Sequence, residues 1–210
     1  MKPRKFRNKY RVDSTRKPNW DYRRPGAYYI TLVTKNRVRF FGSIVKRKPN
    51  SENEMRLSEL GKLAEKFWQE IPLHFPFVEL GNFVIMPDHM HGMLIIKSIP
   101  EINLNTISPR ELETSPDLLV NDRKFEVNND SNLRANANTI REKMASISPK
   151  YGSISTVVRS FKSAVSKFAH RINPDFKWHT NYHDYVVLTK NVYQNMQRYT
   201  LNNPKNWGKK

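Results

Sequence analysis

Apolar residues follow two different periods along this chain. Ala27-Tyr28-Tyr29-Ile30-Thr31-Leu32-Val33-Thr34 is a β-branched and aromatic run that predicts a strand. Leu60, Leu63, Ala64, Phe67, Trp68 and Ile71 recur at helical spacing, so residues 57–72 are expected to be helical, with Ser58 as N-cap and Pro72 and Pro76 at the exit. Two apolar runs follow, 78–86 and 89–97, broken only by Pro87-Asp88; so short a connection predicts an antiparallel hairpin. A second helical stripe, from Ile154 through Val157, Val158, Phe161 and Val165 to Phe168, places a helix over 154–172. A strand is expected over 184–188 and a last helix over 190–203, stopped at Pro204. The polar residues 43–56 read as a loop.

The resulting order is β-α-β-β-α-β-α. Its first six elements form an α+β, ferredoxin-like βαββαβ unit. Right-handed crossovers then give an antiparallel sheet of order 4-1-3-2. The third strand, which begins at His89, becomes central, and the terminal helix is left to the sheet's non-helical face or its end.

Composition divides the chain further. Residues 1–26 are rich in Lys and Arg and read as a basic N-terminal arm; 27–207 read as one domain and 208–210 as a tail. Residues 100–150 interrupt the domain with 7 Lys/Arg and 8 Asp/Glu, many Asn and Ser, and few aromatics. So polar a stretch buries too little surface to offset its ordering entropy, and it is expected to be an insertion or flexible loop with a weak helical pattern from Asn138 to Met144. The net charge of +18 and a pI near 10.1 favour a polyanionic partner, because Lys and Arg bound to phosphates release condensed counterions. The absence of cysteine excludes disulfides and thiolate zinc sites and fits a reducing cytoplasm. No run approaches the ~20 apolar residues of a membrane span, and no apolar stretch follows the basic N-terminus as a secretory signal would require.

The candidate chemistry lies in His89-Met90-His91 and in the last helix. Residues i and i+2 of a strand share a face, so both imidazoles can reach one metal ion. Tyr199 and Asn203 stand four apart and share a helix face. Neutral imidazole suits zinc, copper, iron, nickel and manganese; oxygen ligands suit magnesium and manganese. A phenol with a pKa near 10 is a poor nucleophile at neutral pH, and a nearby cation favours its phenolate. Together these residues suggest metal-assisted attack of tyrosine on a phosphodiester. Each also has a plainer role: paired His on a strand is often accidental, Tyr193, Met196 and Tyr199 form a stripe typical of a core, and Asn203 suits a helix C-cap.

Four segments carry a resemblance: Tyr28 to Thr34 with Phe40-Phe41-Gly42; Phe83-Val84-Ile85-Met86-Pro87-Asp88-His89-Met90-His91-Gly92; Val158 to Val165; and Tyr182 to Val187 followed by Tyr199-Thr200-Leu201-Asn202-Asn203-Pro204. In these the chain resembles the single-tyrosine HUH transposases, most closely the REP-associated tyrosine transposases. The resemblance implies a nuclease domain that cleaves single-stranded or hairpin DNA through a 5′-phosphotyrosine link and frees a 3′-hydroxyl. It implies His89, His91 and Asn203 as ligands of Mg2+ or Mn2+ and Tyr199 as nucleophile. Gly26 to Tyr29 lie where relatives read a short guide sequence, so Gly26 and Tyr28, with Arg159 and Lys162 on the charged helix face, are the expected DNA contacts. That branch of the family leans monomeric, with a homodimer as the alternative. The chain departs from the family in its long insertion and in Tyr185-Val186-Val187-Leu188, where relatives often carry His and Arg; Tyr193 offers a second tyrosine.

Other readings are a non-enzymatic single-strand binder of the same fold, a metal hydrolase using activated water, and a relative that processes genomic repeats without moving itself. The first would stack bases on exposed aromatics and need no tyrosine chemistry.

Overall fold

The computed structural model describes residues 16–46, 52–98 and 152–208, with the backbone of two short paired strands near the N-terminus, β1 (Lys5–Phe6) and β2 (Lys9–Tyr10). The chain divides into two units, residues 1–98 with 151–210 and residues 99–150. The second unit, with the polar segment and its helical pattern, lies outside the described residues, as do most of residues 1–15 and the last two residues of the tail.

In chain order the elements of the first unit are β3 (Gly26–Val33), β4 (Gly42–Lys46), β5 (Asn53–Leu57), α1 (Glu59–Gln69), α2 (Ile71–His74), β6 (Val78–Ile85), β7 (His89–Ile96), α3 (Ile154–Ile172), β8 (His183–Val187) and α4 (Lys190–Asn202). Strands β6-β7-β3-β8 form one antiparallel sheet in that order. This is the expected ferredoxin-like arrangement, with the His-bearing strand central.

Alternation sorts the sheet into two faces. Tyr28, Ile30 and Leu32 of β3, with Met90, Gly92, Leu94 and Ile96 of β7, are buried on the face covered by α1 and α3. Trp68 of α1 reaches the sheet at Gly92, where an added Cβ would stand 2.2 Å from Trp68 Cζ2. The same indole packs edge-on against Phe161 of α3 at 5.2 Å, joining both helices to the central strand. Side-chain caps fix the starts of the helices: Ser58 Oγ accepts from Gly61 N at 3.0 Å, and Thr189 Oγ1 accepts from Val192 N at 3.3 Å.

Residues 43–56, expected to be a loop, instead contain a small hairpin in which β4 pairs with β5 from Gly42↔Leu57 to Lys46↔Asn53. Its strands bury no residue fully, so they lack the apolar run that marks the other strands. The described end of the N-terminal segment packs on the unit. Tyr22 is buried, its carbonyl accepts from Ile154 N at 3.2 Å, and Arg16 donates to Ser155 Oγ at 2.7 Å and to the Tyr182 hydroxyl. Among the described residues, no helix is long and apolar enough to cross a membrane.

Candidate active site

The other face of the sheet carries Tyr29 and Thr31 of β3 opposite Met93 and His91 of β7, with Val33 opposite His89. Helix α4 packs here, nearest β6. The hairpin turn before His89 is held firmly. Met86 N donates to His89 O at 2.8 Å, and the Asp88 carbonyl accepts from both Thr34 N and Thr34 Oγ1 at 2.9 Å.

Each imidazole is oriented through Nδ1. His89 Nδ1 lies 2.5 Å from Asp88 Oδ1, and that buried carboxylate also stands 3.6 Å from Arg37 Nη1. His91 Nδ1 lies 2.8 Å from Thr31 Oγ1, and its ring stacks on Tyr29 at 5.5 Å and 16°. The two imidazoles meet at 4.8 Å and 76°. Burial pushes the His91 pKa down to about 3, with His89 and Arg37 adding to the effect, so its ring is neutral at ordinary pH.

The last helix is latched to this face. Thr200, fully buried, donates its hydroxyl proton to Met196 O at 2.8 Å. Its single proton being used, Thr200 Oγ1 accepts from the Tyr29 hydroxyl at 3.0 Å. Burial raises the Tyr29 pKa to about 12, so this phenol holds its proton. Tyr199, the neighbour of Thr200, points the other way: it is 54% exposed, and its ring meets His91 edge-on at 5.4 Å. Trp207, beyond the helix, stacks on His89 at 5.8 Å and 22°. Asn203 is the buried C-cap of α4, between Tyr199 and Trp207 in sequence. Tyr193 lies elsewhere on the helix, with its hydroxyl 3.6 Å from where a Cβ on Gly81 of β6 would stand.

The donor set fits a cation. Each ring is engaged at Nδ1 by a neighbour, His89 by Asp88 and His91 by Thr31, the kind of outer partner that orients metal-ligating His. Among the described residues no group of three or more His, Cys, Asp or Glu forms a metal site, so the imidazole pair alone would leave most positions of a cation open to other ligands.

His89, His91 and Tyr199 are thus brought together, and Asn203 lies one turn beyond Tyr199 at the end of the same helix. The expected DNA contacts are not. Gly26 pairs with Ile96 at the opposite end of β3 from His89, roughly 23 Å away along the strand. Tyr28 is a correction: it is 0% exposed on the helix-covered face, and its hydroxyl donates to Arg24 O at 2.7 Å, so its ring offers no surface to a strand. Arg159 and Lys162 belong to α3, across the sheet from the His pair. Sequence reasoning missed Tyr29, Thr31 and Trp207 as parts of the site. Alternation separates Tyr28 from Tyr29, but only the register with β7 shows which of them meets His91.

No family model matches the chain. An uncharacterized protein of Haemophilus influenzae is similar to it, 29% identical over 195 residues that make up 92% of this chain and 88% of that one. Two solved structures have a distantly similar course. A REP-associated tyrosine transposase bound to a REP hairpin gives a TM-score of 0.48 at 12% identity, over 92% of this chain and 74% of that one. A provisionally assigned transposase from Deinococcus radiodurans gives 0.39 at 13% identity, over 89% of this chain and 95% of that one.

Proposed function

We propose that the chain is a transposase-like DNA strand transferase that cleaves single-stranded or hairpin DNA through Tyr199. The observation that carries this reading is the exposed Tyr199 ring set edge-on to His91, 5.4 Å away, with the second imidazole of His89 beside it. A buried structural tyrosine would look like Tyr29, with its hydroxyl bonded and its proton held.

In the proposed step the Tyr199 oxygen attacks phosphorus, the P–O3′ bond breaks, and a P–O bond to the tyrosine forms. The phenol proton leaves to solvent, and the departing 3′-oxygen takes up a proton. Reversal uses the same atoms, so the phosphodiester energy is conserved. His89, His91 and Asn203 are the residues that would hold Mg2+ or Mn2+, which when bound polarises the phosphate and favours the phenolate. Asp88 and Thr31 hold the orientation of the two rings through Nδ1, and Tyr29 and Thr200 tie the helix that presents the nucleophile to the sheet. One chain supplies all of these groups, which supports a self-contained, monomeric site. The net charge of +18 supplies attraction for a phosphate backbone.

The test is incubation with a labelled hairpin oligonucleotide and manganese, followed by denaturing electrophoresis. A covalent adduct is expected from the wild-type chain and from Tyr193→Phe, and none from Tyr199→Phe. An adduct that survives in Tyr199→Phe moves the nucleophile elsewhere. Cleavage to a free 5′-phosphate without an adduct assigns the site to water-based hydrolysis instead.

A further inference from the structure

The end of the sheet that carries His89 also borders a cleft. Beyond β3 the chain turns through Lys35–Arg37, with Asn36 and Arg37 in the left-handed region at φ 55° and 53°. Lys35 N donates to Lys177 O and His179 N to Val33 O, both at 2.8 Å, which stitches the loop before β8 to the end of β3. Between this turn, that loop and the flank of α3 lies a cleft of about 740 Å3, lined among others by Lys35, Lys162, His170, Lys177, Trp178 and His179.

Its lining contains no Asp or Glu. Among the described residues, none of Lys35, Lys162 and Lys177 forms an ion pair with a carboxylate. Lys162 is held in place, its ammonium donating to the carbonyls of His179 at 2.8 Å and Thr180 at 3.3 Å. Lys35 and Lys177 give the cleft a positive charge that an anion there would neutralise. The Trp178 ring is walled by Phe41 at 5.3 Å, Phe176 at 5.2 Å and Phe161 at 6.1 Å, which leaves recognition to charge more than to stacking. The volume falls within the roughly 300–1,000 Å3 of small-ligand pockets, enough for a nucleotide-sized unit. Lys35 lines the cleft, and Arg37, two residues on in the same turn, reaches Asp88 beside His89, so one turn links the cleft to the His-bearing end of the sheet.

We propose that this cleft is a second subsite for the DNA strand, holding a backbone phosphodiester of the strand away from the one presented to Tyr199. The choice of DNA as ligand rests on the function proposed above. The contact is with phosphate, so it positions the strand without reading its sequence.

The test uses the full chain carrying Tyr199→Phe, so that binding is measured without covalent trapping. Affinity for a fluorescent single-stranded oligodeoxynucleotide is followed by anisotropy over a range of salt. Lys35→Glu with Lys177→Glu is compared with Lys62→Glu and Lys66→Glu, a charge-matched pair on exposed α1. The cleft pair is expected to weaken binding about tenfold and to reduce the slope of log affinity against log salt by about 1.4, the loss of two single-strand phosphate contacts. The α1 pair is expected to leave the slope unchanged. Equal effects from both pairs, or no change of slope in the cleft pair, overturn the proposal.

A second measurement needs no substitution in the cleft. Amine acetylation read by mass spectrometry is expected to show Lys35 and Lys177 protected by the oligonucleotide and Lys62 not. Protection by inorganic phosphate but not by the oligonucleotide assigns the cleft to a free anion and overturns the strand subsite. Because neither measurement requires cleavage, failure of adduct formation with protection intact removes the tyrosine chemistry and leaves the cleft. An adduct without protection does the reverse.

Discussion

His91 and Gly92 are consecutive residues that serve opposite faces of one strand. His91 presents its ring to α4, while Gly92 makes room for Trp68, which is fully buried and has no space to retreat. Gly92→Ala is therefore expected to lower the urea midpoint by the equivalent of about 1–3 kcal/mol, the usual cost of overpacking a close contact. Tyr199→Phe removes one oxygen from a half-exposed ring and is expected to stay within about 0.5 kcal/mol of wild type while abolishing the adduct. Opposite outcomes in the two variants, measured side by side, separate the packing role of this motif from its chemistry. A normal midpoint in Gly92→Ala would mean that the indole is less constrained than its contacts indicate.

At the scale of elements, the bond between Tyr29 and Thr200 is a polar tie between the sheet and α4. Thr200→Val keeps the shape of the side chain but leaves the buried Tyr29 hydroxyl without its acceptor, at a cost of about 1–3 kcal/mol. Replacing both partners, Tyr29→Phe with Thr200→Val, is expected to recover part of that loss, and equilibrium unfolding of the four proteins gives the coupling directly. In Thr200→Val, adduct formation is expected to slow while oligonucleotide affinity holds, because the change loosens the nucleophile and not the charged surface. The elements themselves were largely legible. The stripe from Ile154 to Phe168 is long enough to place α3 over 154–172, and Pro87-Asp88 between two apolar runs marks the central hairpin. The β4–β5 hairpin was not, since its short, half-buried strands look like loop. Nor was Trp207, whose place against His89 depends on how the chain turns after Pro204 and leaves no periodic trace.

For the whole molecule, the anchoring of the N-terminal segment leaves a signature in alkaline solution. Burial, with the Asp184 carboxylate nearby, raises the Tyr22 pKa from its ordinary 10 to about 12. Below pH 10 the phenol is neutral whether the chain is folded or not, and it contributes no pH dependence. As pH rises through 10 the unfolded chain releases a proton that the folded chain keeps, so stability falls until about pH 12. Thermal melts across that interval are expected to decline less steeply in Tyr22→Phe than in the wild type; identical slopes would mean that Tyr22 ionises freely in the folded chain. The candidate residues were legible as types and spacings, because His-X-His on a strand and Tyr-x-x-x-Asn on a helix need only local geometry. That the Tyr199 ring meets His91 across more than a hundred residues followed from the topology, and which charges surround them did not follow from sequence at all.

The contact between Tyr29 and Thr200 ties the helix that carries Tyr199 to the sheet like a post. On the proposed chemistry, whatever end becomes tethered to Tyr199 stays parked beside the imidazoles, and the end that later rejoins it has to be delivered by motion of the nucleic acid. Such a post favours resealing and exchange between ends that one folded DNA already holds close, over the capture of a distant one.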